Sequence, residues 1–127
     1  MSEESEQQRL REQLAHIGAR YLTRTLGELR QIDELAAKAD AGCAEALKEL
    51  KRMAHKIHGS AAMFGFGEVS THAREVEQIA AELGGKISEG SQDIDEAALR
   101  QRLKRSVGEL GQVTRAAAKA SGIEPHG

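Results

Sequence analysis

The sequence predicts an all-α fold, an antiparallel up-down-up-down four-helix bundle whose N-terminal helix is extended or broken. Three observations carry that expectation. Aromatic residues make up 2% of 127 positions, Trp is absent, Pro occurs once, and the better helix formers Ala, Leu, Glu, Arg, Lys and Gln dominate. Apolar residues recur three and four positions apart in four segments, the period of a helix face. The links between segments are short, which favours antiparallel neighbours. An apolar share of 39% suffices for one core. A single domain over 1–127 is therefore expected, with its bundle core at about 10–118 and ragged ends.

The first segment places Leu10, Leu14, Ile17 and Tyr21 on one stripe and Leu22, Leu26, Leu29, Ile32 and Leu35 on the next. The change of phase near Gly18 is what allows either one long helix or a broken one. The pattern lapses between Ala39 and Gly42, where Asp40 is expected to cap the second helix. That helix carries a narrow seam of Leu47, Leu50, Ala54, Ile57, Ala61 and Phe64, ending at Gly65-Phe66-Gly67. A third segment repeats the seam with Phe66, Val69, Ala73, Val76, Ala80 and Leu83, and Gly84-Gly85 is expected to stop it. The second and third helices should form a hairpin. Residues 86–92 read as a polar loop, Asp93 and Glu96 have the spacing of a capping box, and Leu99, Leu103, Val107, Leu110 and Val113 stripe a fourth helix to about Ala118. Residues 121–127 read as a frayed tail.

The charge balance narrows the function. Eighteen basic and 20 acidic residues are intermixed and give a net charge of −2, so no basic field is available to hold a nucleic-acid backbone. The N-terminus is acidic and polar where a secretory leader would be basic and then apolar, and no stretch has the roughly 18 apolar residues of a membrane span. A lone Cys43 fits a reducing compartment. A cytoplasmic, monomeric protein without nucleic-acid or membrane partners is expected.

Three of five histidines fall in the hairpin: His55, His58 and His72. His55 follows the seam residue Ala54, so its ring should flank the core and reach solvent. Lys51, His55, Gly59 and Ala62 share one face of the helix, a charged and nucleophilic stripe opened by small residues. Gly59 costs a helix about 1 kcal/mol relative to Ala. Two readings stand for it: close packing of two helices within the bundle, or access for a partner.

Counting around the turn adds a second residue. His55 lies eleven positions before Phe66 and Glu77 eleven after, so both sit about 16 Å from the turn at the helical rise. The Glu77 carboxylate is then level with the His55 ring. A bond from Nδ1–H would fix the tautomer, leave Nε2 facing outward and stabilise the positive charge that develops when Nε2 attacks an electrophile. The plainer alternative is a solvated surface pair of small energetic worth.

The string Ala54-His55-Lys56-Ile57-His58-Gly59-Ser60-Ala61-Ala62-Met63-Phe64-Gly65 resembles the signature of the histidine-phosphotransfer (HPt) family, commonly A-H-x-[IL]-K-G-[SA]-x-x-x-x-G. Val76-Glu77 matches the place where that family puts a polar partner, and the four-helix layout is similar. The resemblance implies that His55 is the phosphoaccepting nucleophile, that Glu77 orients its ring and that Gly59 leaves room for a receiver domain. It further implies that a phosphoryl group arrives from the aspartate of one response-regulator receiver domain, under a hybrid histidine kinase, and leaves to another. Magnesium would belong to the receiver, and no cofactor of its own is expected. The chain has no Gly-rich phosphate loop or P-loop for ATP, so a phosphoryl carrier is implied rather than an enzyme. One position departs: His58 stands where the family commonly has Lys, so a weaker cation flanks the site. Lys56 is a candidate to compensate, although it points about 100° around the helix from His55.

Two other readings compete. A phosphorylation-independent interaction module would share this fold, and the intact motif around His55 argues against it. Metal binding through His55, His58 and His72 would need more ligands on one face than the apolar seams offer. A site residue set without metal is expected. His16, His72 and His126 read as surface residues.

Overall fold

The computed structural model describes residues 2–88 and 94–123, and all regular structure among them is helical. Four helices follow in order: α1 (Glu3–Asp40), α2 (Ala44–Met63), α3 (Gly67–Ser88) and α4 (Ile94–Ala120). Close backbone approaches join α1 to α2, α2 to α3, α3 to α4 and α4 back to α1. Side chains fix the directions. On the α1–α2 side Tyr21 meets Ser60 and Glu28 meets Lys56; on the α3–α4 side His72 meets Glu109 and Lys86 meets Asp95. In each case a later residue of one helix meets an earlier residue of the other, so neighbours run antiparallel, as an up-down bundle requires.

The helix ends follow from local chemistry. Ser2 caps α1 by accepting from the Ser5 amide at 3.3 Å, and Glu3, Glu4 and Glu6 complement the positive end of the helix dipole. At the far end of α2, Gly65 adopts φ +84°, the Phe66 amide donates to the Ala61 carbonyl at 2.8 Å, and the Gly65 amide donates to Ala62 at 3.2 Å. This pair of bonds is the Schellman arrangement, which satisfies the last carbonyls and needs a residue free to take positive φ. The chain is thereby turned within three residues into α3.

Seams of α2 and α3 are buried as the periodicity predicts except at the turn, where Phe64 is exposed and Phe66 is half-buried. Leu50, Ala54, Ile57, Ala61, Val69, Ala73, Val76, Ala80 and Leu83 meet Leu22 and Ile32 of α1 and Leu110 of α4 in one core. Each fully buried Leu, Ile or Val contributes about 1.5–3 kcal/mol. Thr25 and Thr114, also buried, donate to the carbonyls of Tyr21 and Leu110 one turn back, so neither hydroxyl is left unbonded.

Several boundaries differ from expectation. The first helix is one unbroken helix of 38 residues. Gly18 marks no break: a Cβ there would stand 3.3 Å from the Phe66 ring, so the glycine admits that ring against α1. Residues 3–17 are all exposed, including Leu10, Leu14 and Ile17, and packing starts at Gly18. Since Tyr21 is already level with Ser60, this stretch projects about 22 Å past the α2–α3 turn at 1.5 Å per residue. Asp40 ends α1 rather than capping α2, whose N-cap is Cys43 without a side-chain bond. The Asp40 carboxylate lies 3.7 Å from Lys104, and its carbonyl accepts from Arg100, so the residue is engaged by α4. Helix α3 runs through Gly84-Gly85 to Ser88 because Ile87, one turn beyond Leu83, still packs on the core. Burial there outweighs the helix cost of two glycines, about 1 kcal/mol each. The capping pair expected at Asp93 and Glu96 involves Asp93, outside the described residues; Glu96 instead accepts from Arg100 at 2.9 Å. The start of the expected tail is tied down, with the Ile123 amide on the Ala118 carbonyl at 2.9 Å and its side chain against the core. No described helix is long and apolar enough to cross a membrane.

Candidate functional site

His55 occupies the middle of α2, next to the fully buried Ala54, and this one-residue offset sets its ring at the rim of the α2–α3 seam. Its side chain is 74% exposed, whereas that of Glu77 is only 19% exposed, laid along α3 beside the buried Val76. His55 Nδ1 lies 2.6 Å from Glu77 Oε2. A carboxylate can only accept, so Nδ1 carries the proton and Nε2 presents its lone pair. The more buried member of the pair is the acceptor, so the carboxylate is the enclosed partner and the ring the exposed one. Chemically this is an outward-facing nitrogen nucleophile with a fixed tautomer and a negative charge behind it.

The surroundings of His55 are open. Gly59, one turn on, is exposed, and nothing lies within 4 Å of the place a Cβ would occupy. Intramolecular helix packing is therefore not what requires this glycine. Ala62 continues the same face and is exposed, and Met63 beside it is 82% exposed. A partly apolar shelf thus extends from His55 toward the hairpin turn.

His58 is not a free cation next to His55. It is half-buried, with Nδ1 at 2.9 Å from Ser70 Oγ and 3.1 Å from the Ser70 carbonyl, while the Ser70 hydroxyl donates to the His58 carbonyl at 2.8 Å. These bonds strap α2 to α3 close to the site. Lys56 reaches the other way, its Nζ 4.0 Å from Glu28 of α1. Arg52 pairs with Glu49, whose hydrogen bond and charge raise the pKa of the guanidinium. Lys51 is exposed one turn before His55.

The trio His55, His58 and His72 does not assemble. Each has its own surroundings: Glu77 for His55, Ser70 for His58, and for His72 the carboxylates of Glu75 at 3.8 Å and Glu109 at 3.6 Å. His72 is thus half-buried between α3 and α4 rather than a surface residue, because Glu109 of α4 comes to meet it. His16 is exposed, and His126 lies outside the described residues.

Sequence reasoning missed two features that frame the site. The only three aromatic residues of the protein form one stack, with ring centroids of Tyr21 and Phe64 4.7 Å apart and those of Tyr21 and Phe66 5.9 Å apart. The Tyr21 hydroxyl also lies 2.7 Å from Ser60 Oγ, which in turn donates to the Lys56 carbonyl. This stack pins α1 to the hairpin turn just beyond the shelf. Ser70 is the second: it occupies a position next to the seam residue Val69, and only its polarity at a buried place would have drawn notice.

Comparison with curated proteins and with solved structures finds no match to this chain. Comparison with protein families matches residues 4–113 to the Hpt domain. Hpt domains are phosphoryl carriers, which implies histidine phosphotransfer in a phosphorelay and interaction with its receiver domains and kinases. With that match running from the first turn of α1 to the last third of α4, across all four helices, the chain belongs to the Hpt domain family.

Proposed function

We propose that His55 is the phosphoaccepting residue, taking a phosphoryl group from the aspartate of one receiver domain and delivering it to the aspartate of another. The observation that carries this reading is the 2.6 Å contact between Glu77 and Nδ1 of an otherwise exposed ring. In the forward step the Nε2 lone pair attacks phosphorus in line, the bond from phosphorus to the aspartyl oxygen breaks, and the aspartate leaves as a carboxylate. The ring then carries positive charge shared with Nδ1–H, which the Glu77 carboxylate offsets. The reverse step returns the group to a second aspartate, and the ring recovers its lone pair. Magnesium belongs to the acidic site of the receiver, which supplies the charge around the phosphoryl oxygens.

Gly59, Ala62 and Met63 support docking, because small and flexible exposed side chains around His55 let a receiver approach within bonding distance. His58 and Lys56 serve the scaffold in this reading: the first straps α2 to α3, and the second faces α1. The protein acts as a monomer in the cytoplasm, downstream of a hybrid histidine kinase.

Incubation with a receiver domain phosphorylated on its aspartate tests the assignment. Wild type is expected to gain label that survives alkali and is lost in acid, the behaviour of a phosphoramidate. His58→Gln and His72→Gln should still be labelled. Equal labelling of His55→Gln and wild type would remove His55 from the role.

A further inference from the structure

We propose that His72, Glu75 and Glu109 form a divalent transition-metal site, of the kind that takes zinc, which clamps α3 to α4. His72 and Glu75 are one turn apart on α3 and so share a face, and Glu109 comes from the facing helix. One ligand atom of each residue lies within 4.8 Å of the other two. Nδ1 of His72 stands 3.6 Å from Glu109 Oε2 and 3.8 Å from Glu75 Oε2.

The second observation is the state of that nitrogen. His72 Nδ1 is sealed from solvent and has no hydrogen-bond partner. Both other histidines of the hairpin use Nδ1 fully, His55 at 2.6 Å from a carboxylate and His58 at 2.9 Å from a hydroxyl. At His72 two carboxylates flank the ring, yet both stand beyond hydrogen-bond range, which ends near about 3.2 Å for N–H···O. A buried ring nitrogen left unbonded is costly unless something else satisfies it.

Metal coordination accounts for the spacing. Zinc binds His nitrogen at about 2.0–2.1 Å and carboxylate oxygen at about 2.0–2.2 Å, so two tetrahedral ligand atoms lie about 3.4 Å apart. The two nitrogen-to-oxygen distances here, 3.6 and 3.8 Å, lie beyond hydrogen-bond range and within a few tenths of an ångström of that edge. Glu75 and Glu109 are partly exposed, so a small rotation of either closes the third edge. One imidazole and two carboxylates neutralise a dication and leave a fourth position for water. A nitrogen donor in a set of three favours zinc-like ions over magnesium or calcium, which take oxygen ligands in larger number.

The site departs from the expectation of no metal and from the histidine trio weighed in the sequence. His72 precedes Glu77 by five residues, about 140° around α3, so the metal sits away from the His55 rim. The inference stands independently of the role of His55.

Isothermal titration of the full chain with zinc chloride tests it, alongside thermal unfolding with and without zinc. Wild type should bind one equivalent and melt at a higher temperature in its presence, and magnesium should neither bind there nor compete. Glu75→Gln and Glu109→Gln change half-exposed residues that carry no core packing, and each should weaken binding at least tenfold and abolish the thermal shift. Cys43→Ser and His16→Gln, which remove exposed donors elsewhere on the chain, should leave both unchanged. Absence of binding, or an affinity the same in wild type and both Glu variants, overturns the site.

Discussion

His55 Nδ1 and Glu77 Oε2 lie 2.6 Å apart although 22 residues separate them, and only the register of the α2–α3 hairpin brings them level. The carboxylate is the enclosed partner, and the ring is the exposed one. Removing it should therefore alter chemistry far more than folding. Glu77→Ala is expected to slow labelling from a phosphorylated receiver about tenfold, equivalent to about 1.4 kcal/mol of lost charge stabilisation. Glu77→Gln, which still accepts from Nδ1–H, should fall between wild type and Ala. Urea unfolding of both variants should move by less than about 1 kcal/mol, as for other pairs with one exposed member. A large stability loss with unchanged transfer would show that the pair is structural.

Gly59 has open space where a side chain would go, so substitution separates folding from docking. Gly59→Ala should stabilise the helix by up to about 1 kcal/mol, since no neighbour resists the added methyl and Ala is the better helix former. Gly59→Leu should fold as well as Ala. Transfer from the receiver should decline in the order Gly, Ala, Leu, because the added atoms stand between His55 and the incoming domain. Transfer rates that ignore side-chain size at 59 would remove the docking role of this face.

How much of this was legible beforehand depends on whether the signal is periodic. The seams through Leu50, Ala54 and Ile57 and through Val69, Ala73 and Val76 are helical repeats, and all six residues are buried. The pairing of His55 with Glu77 followed from the same repeat counted outward from Phe66. Contacts set by side-chain reach across helices were not legible. Nothing periodic says that His58 meets Ser70, that Glu109 meets His72, or that Tyr21 stacks on Phe64. Helix ends failed where burial competes with local preference: Gly84-Gly85 looks like a stop, and Ile87 keeps the helix going. The stripe of Leu10, Leu14 and Ile17 misled because periodicity reports amphipathicity, and nothing in the bundle reaches far enough to cover it.

Ser70 and His58 make three mutual contacts that hold α2 against α3 beside the site. Ser70→Ala removes the hydroxyl that bonds both the His58 ring and its carbonyl. A loss of about 1–2 kcal/mol in urea unfolding is expected, at about 1 kcal/mol per hydrogen bond. His58→Lys installs the residue more usual in the family at a half-buried place where the imidazole was bonded. It should cost about 1 kcal/mol on the same scale. Labelling of His55 should persist in both variants, since neither touches the His55–Glu77 pair.

Leu14 and Leu50 carry the same side chain on helical stripes of similar appearance, yet Leu14 is 59% exposed on the projecting part of α1 and Leu50 is fully buried. Leu50→Ala removes a side chain packed between helices and leaves a cavity, so a loss of about 2–5 kcal/mol is expected in urea unfolding. Leu14→Ala removes one that touches solvent and should stay within about 0.5 kcal/mol of wild type. The contrast also places the start of the cooperative unit. With packing beginning at Gly18, a protein lacking residues 2–14 should unfold at the same urea concentration and with nearly the same slope as the full chain, because turns already exposed add little to the surface uncovered on unfolding. If Leu14→Ala proves as damaging as Leu50→Ala, the first turns of α1 are covered in solution, and the packed structure starts before Gly18.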